Sequence, residues 1–245
     1  MTKKLKHPCR QLKIAVAFLT TFPLMAQPAG AEKKALDSHQ KISYLELAHA
    51  TRRAEVLQER NIADIQRLKI LIANFGSKVS GSNEAFEKIK NTYKKATESY
   101  YRRDFGEARD RQVECLKQIE ELYQGFVTVF KEDLSALLTE CSLSLSDLEF
   151  TQSLEPGQNS AQLSERILRS QFRLRTAFQQ ASMAESNAGD RRYAMAIDHY
   201  RLGKLYAIGI LKDLAQAPEK ATEIETKYAV DLRDAYGRSA TAEKK

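Results

Sequence analysis

Tryptophan is absent from this chain, histidine occurs four times and cysteine three times. After residue 28 only Pro156 and Pro218 interrupt it, period-two alternation is scarce and β-branched runs are few. With so little to break or rival it, helix is the state favoured by the Ala, Leu, Glu, Lys, Arg and Gln that dominate the composition. The expected class is all-α. His7, His39, His49 and His199 form no His-x-x-x-His or His-Glu-x-x-His spacing, and the cysteines have no neighbouring ligand set, which argues against zinc. Glycine-rich phosphate loops, Gly-x-Ser-x-Gly elbows, paired-cysteine redox motifs and Glu-x-x-His iron motifs are missing as well. No catalytic, cofactor-binding or metal-binding residue is assigned, and no cofactor is expected.

What is present begins with an address. Residues 1–13 are basic, residues 14–26 are mostly apolar, and Ala29-Gly30-Ala31 is a small-x-small site. This order describes a secretory signal peptide. Its apolar run is about half of the ~20 residues that a membrane span needs, so cleavage is expected rather than anchoring. Removing its five basic residues from 39 leaves 34 against 32 acidic ones, a net charge of about +2. A nucleic-acid partner loses its support with them. The arginine clusters Arg52-Arg53, Arg102-Arg103, Arg166/Arg169/Arg173/Arg175 and Arg191-Arg192 have acids nearby and read as solvated helix faces. Cys9 leaves with the leader. Cys115 and Cys141 fall on one expected helix, where 26 residues at ~1.5 Å each place them about 39 Å apart, beyond disulfide reach. Two buried free thiols are expected.

Three- and four-residue spacing of apolar side chains predicts helices over about 36–75, 83–103, 106–148, 161–188, 191–214 and 219–236. Between Leu57 and Ile65 the phase slips by one residue, so the first helix lacks a sustained seam. Tyr123, Val127, Phe130, Leu134, Leu137 and Cys141 form the best heptad seam. Glycine and serine around residues 76–82 and the tight turns at Asp104-Phe105-Gly106 and Gly189-Asp190 separate neighbours. The loop at residues 153–160, with Pro156, divides the chain into helical halves 32–152 and 161–236. An elongated bundle, or one bent at that loop, is expected, with a frayed tail from residue 237.

One pattern occurs twice, 88 residues apart. Ala96, Phe105, Ala108 and Cys115 in the first half match Ala184, Tyr193, Ala196 and Gly203 in the second. Each copy puts a small residue on one helix, an aromatic just past a polar turn, and two small residues on the next helix. Such residues let helix backbones approach closely. The stretch Ala184–Gly203, with Tyr200 as a second aromatic, resembles the tetratricopeptide repeat. The first copy has Gln112 where that aromatic belongs. The usual Leu-Gly pair and closing Pro are missing from both. The resemblance implies helical hairpins that serve as a protein-binding scaffold.

Of ten tyrosines, Tyr93, Tyr100, Tyr101, Tyr193, Tyr200 and Tyr206 gather around these hairpins. Tyr and Arg are favoured at binding hot spots, so Tyr93, Tyr100, Tyr101, Arg102, Arg191, Arg192 and Tyr200 are candidate partner contacts. The plainer alternative is that the tyrosines pack at helix crossings with their hydroxyls in water. The expected role is a non-enzymatic scaffold in a bacterial periplasm, contacting protein partners of the envelope. In compartment and long-helix character the chain is similar to spirochaete flagellar-coiling proteins of the periplasmic filament sheath. A repeat-groove adaptor or chaperone is the alternative, and an enzyme with an unfamiliar site the second. Exposure of Tyr93, Tyr100, Tyr193 and Tyr200 would favour the adaptor; burial of all four would favour the structural role.

Overall fold

The computed structural model describes residues 43–154, 160–215 and 217–237. Residues 1–42, the Pro156 loop and the tail after Gly237 lie outside them, and so do the expectations placed there, the signal peptide among them. Among the described residues the chain is all-α, with seven helices and no strand. They are α1 (Tyr44–Phe75), α2 (Ser82–Tyr101), α3 (Phe105–Leu154), α4 (Ser160–Gly189), α5 (Tyr193–Leu214), α6 (Pro218–Lys227) and α7 (Ala229–Ala235). Glu46 reaches back to accept from the Ser43 N–H at 3.0 Å, which starts α1. A 3-10 turn at Gly76–Lys78 and left-handed Gly81 end it and open α2.

The 50-residue α3 is the common wall: α1 and α2 pack on it, as do α4 and α5. Its heptad seam is buried except for half-buried Val127. The seam joins both halves in one continuous core running from Ile65 of α1 to Leu211 of α5. Where the spacing of α1 slips, the buried face does not break. Asn61 and Asp64 occupy it, and Asn61 donates to the Gln112 side-chain and backbone oxygens at 2.8 and 2.9 Å.

The expected single helix after Pro218 is two. The break falls at Tyr228, whose hydroxyl donates to Glu140 of α3 at 2.9 Å. Tying that point to α3 turns α7 so that Asp231 and Asp234 reach α5. Phe178 of α4 falls four residues after half-buried Leu174 and three before half-buried Ala181, yet it is exposed.

The two hairpin turns are built alike. Arg103 and Arg191, 88 residues apart, are the two non-glycine residues with positive φ among those described, at 65° and 59°. The next residue's N–H bonds five residues back in each, Asp104 to Ser99 at 3.0 Å and Arg192 to Asn187 at 2.8 Å. This Schellman turn satisfies the helix-end carbonyls and reverses the chain. The paired small residues Ala96, Ala108, Cys115, Ala184, Ala196 and Gly203 are all buried. A Cβ at Gly203 would stand 2.8 Å from a Leu134 methyl, so the α5 backbone lies directly against that side chain of α3. The turn aromatics differ: Phe105 is half-buried against Tyr100, with centroids 5.3 Å apart, whereas Tyr193 is buried.

Cys115 and Cys141 are buried and free on the unbroken α3. Burial, and then the neighbouring Glu114 or Glu140, pushes each thiol up to about 12. Thiolate is the reactive form, so alkylation of the native protein at pH 8 should spare both, and guanidinium should expose both together. Ready labelling of either without denaturant, read by peptide mass, would contradict this packing.

Candidate protein-binding surfaces

The α4–α5 turn carries Arg191 and Arg192 to a pocket shared with α1 and α3. About 250 Å³ is enclosed by Arg60, Ala63, Asp64 and Arg67 of α1, Leu116, Ile119, Glu120 and Tyr123 of α3, and residues 191–195. Two of its arginines are loosely held: Arg60 lies 3.9 Å from Asp64 and 3.8 Å from Glu120, and Arg67 lies 3.5 Å from Asp64. Asp64 also accepts from the Tyr123 hydroxyl at 3.3 Å. Burial foremost, with Asp64 beside it, raises the Tyr123 phenol far above its ordinary value, so it remains a donor. Arg191 and Arg192 are exposed and enter no ion pair among the described residues. Four guanidiniums against two carboxylates leave the pocket positive.

This assembly brings two of the expected contact residues together and leaves the others elsewhere. Tyr93, Tyr100, Tyr101 and Arg102 do not line it. Tyr101, 78% exposed, and Arg102 sit at the end of α2. Tyr100 is half-buried and donates to Glu55 of α1 at 2.5 Å. Tyr200 is 1% exposed, held in the core where α5 crosses α3, so its ring is not offered at the surface. The tyrosine criterion divides by hairpin: Tyr93 and Tyr100 are half-buried, and Tyr193 and Tyr200 are buried. Arg166 and Arg173 bond to Asp213 of α5 rather than standing free.

Beside Tyr200 runs a second concavity of about 470 Å³ between α3 and α4, lined by Leu134, Leu138, Leu143, Phe178, Ala181 and the Lys131–Glu185 pair among others. The same two helices also carry exposed apolar side chains. Leu143, Phe150 and Leu154 form a stripe on α3, and Leu168 and Phe172 stand one turn apart on α4. Sequence periodicity records such residues as apolar without saying that nothing covers them.

A buried ion cluster that spacing did not disclose ties α5 to α3 and α7. Lys204 of α5 is 2% exposed, with its ammonium 2.9 Å from Asp133 of α3 and 2.8 Å from Asp231 of α7. It lies 4.2 and 5.2 Å from the ring centres of Phe130 and Phe75. Lys78 closes on Asp133 at 2.8 Å, giving two charges of each sign. One turn away, Arg201 bonds to Asp234 at 2.7 Å, which also accepts from Asn74 at 2.8 Å. Among the described residues no three His, Cys, Asp or Glu side chains are placed to share a metal. No described helix is long and apolar enough to cross a membrane. No family model, curated protein or solved structure matches the chain.

Burial raises the Asp133 carboxyl, but hydrogen bonds from Lys78 and Lys204 outweigh it and hold the group below its ordinary value. A carboxylate lowered on folding stabilises fully above its unfolded pKa of about 3.9 and loses that contribution as pH falls below it. Asp133→Asn should cost roughly 2 kcal/mol at pH 7. The gap from wild type should narrow at pH 3. Urea denaturation at both pH values checks this, and an equal gap would refute it.

Proposed function

We propose that the protein is an exported, non-enzymatic scaffold of a bacterial periplasm. It acts through protein–protein contacts within an envelope assembly, a periplasmic flagellar filament sheath being one such setting. The leader-like residues 1–31 support the compartment. The observation that carries the contact role is the uncovered apolar surface of α3 and α4, where Phe172 is 70% exposed and Phe150, Leu154 and Leu168 are close behind. Several large apolar side chains exposed on two neighbouring helices offer a partner area to cover, and contiguous exposed apolar surface marks interaction sites. A rigid helical frame suits a scaffold, because contact residues on helices keep their spacing when a partner docks. The adaptor reading has one observation in its favour, the arginine pocket, which is shaped to take a small anionic element.

Photo-crosslinking in the native host separates the outcomes. A benzophenone side chain placed at Leu143 or Phe172 should yield discrete protein adducts in the envelope fraction. The same group at exposed Glu219 on α6 should yield none. Absence of adducts at both apolar positions, or recovery of an uncleaved chain in the cytoplasm, would overturn the proposal.

A further inference from the structure

The arginine pocket sits at a point where the two copies of the hairpin turn differ in charge. In the first copy the residue after the left-handed arginine is Asp104, whose carboxylate accepts from the Glu107 N–H at 3.1 Å. In the second copy the equivalent position is Arg192, and it makes no side-chain capping bond to α5. The backbone turn is the same in both, so the difference lies in the side chain alone. Asp104 supplies the negative charge its helix start favours; Arg192 adds a positive charge to a pocket that already holds Arg60, Arg67 and Arg191.

Three properties of the pocket define what fits. Its charge balance is four arginines to two acids, and the ion pairs of Arg60 and Arg67 are 3.5–3.9 Å long, which leaves most guanidinium donors free for an incoming oxygen anion. Its lining is partly apolar, with buried Ile119, half-buried Leu116 and exposed Met195 beside the charges. Its volume of about 250 Å³ is below the ~300–1,000 Å³ usual for small-molecule sites and suits one or two side chains. Lipid headgroups in a flat array would meet the Glu120 carboxylate in the lining, and would gain little from its apolar side chains.

We infer that this pocket docks an acidic segment of a partner protein. An Asp or Glu carboxylate sits among Arg60, Arg67, Arg191 and Arg192, with an adjoining apolar side chain against Leu116, Ile119 and Met195. This deepens the protein-contact reading and rests on it. Arginine's planar fork pairs carboxylates through two parallel hydrogen bonds, so the site selects by geometry as well as by charge.

The test displays random 12-residue peptides to the full-length chain and compares three proteins: wild type, Arg191→Glu/Arg192→Glu, and Arg52→Glu/Arg53→Glu. The last pair makes the same change in net charge at two exposed arginines of α1 outside the pocket. Circular dichroism melts confirm that each variant folds. Wild type and the Arg52/Arg53 variant should enrich peptides with Asp or Glu beside an apolar residue. The Arg191/Arg192 variant should bind the enriched peptides at least tenfold more weakly. No acidic enrichment, or equal binding by all three proteins, overturns the inference. So does binding to vesicles of 30% phosphatidylglycerol in phosphatidylcholine that only the Arg191/Arg192 variant loses, which would make the site a membrane contact. Crosslinks from Leu143 or Phe172 persist if the pocket inference alone is wrong, and vanish if the scaffold reading is wrong.

Discussion

A lysine ammonium with almost no access to water is the constraint on which this fold turns. Lys204 lies between Asp133, Asp231 and the faces of Phe75 and Phe130, so α5 is tied at one point to α1, α3 and α7. An isolated charge there would face a desolvation cost of several kcal/mol. Two carboxylates and two aromatic rings offset it only when all four elements are in place. A buried pair of this kind adds less to net stability than an apolar core of equal volume. What it supplies is register, since sliding α5 by one residue along α3 would turn the ammonium into apolar surroundings.

That register reaches the arginine pocket. Tyr193 begins α5 about 16 Å along the helix from Lys204, and with it come Arg191 and Arg192. Arg60 and Arg67 are on α1, whose last turn carries Phe75. The clamp therefore fixes the second hairpin against the first at the distance that gathers four arginines. Close contact at Gly203 acts in the same direction, because α5 can approach Leu134 only where no side chain intervenes. Asp234, shared by Arg201 and Asn74, repeats the tie one turn further along.

Apolar periodicity is a local signal, and it told what local signals can. The α3 seam, the buried thiols and the doubled hairpin follow from residues whose neighbours in sequence are also their neighbours in the fold. Asn61 and Gln112 were hidden because polar residues inside a helix normally read as surface; here each is buried by satisfying the other. Lys204 was hidden for a related reason: a single lysine in the mostly apolar stretch after Gly203 reads as its solvent-facing residue. The pocket could not be read from spacing at all. Its arginines come from positions 60, 67, 191 and 192, which only the packing of both α1 and α5 on α3 unites. Phe178 shows the converse: its spacing matches the core, yet α4 turns it to the groove beside α3.

Amide hydrogen exchange of the Lys204→Met variant tests the central claim most directly. Loss of the ammonium should raise exchange together around residues 71–75 of α1, 130–137 of α3, 201–208 of α5 and 229–235 of α7. Exchange in α2 and the first hairpin turn should stay at wild-type rates. Faster exchange confined to α5 and α7, with α1 and α3 unchanged, would contradict a clamp that couples the two hairpins.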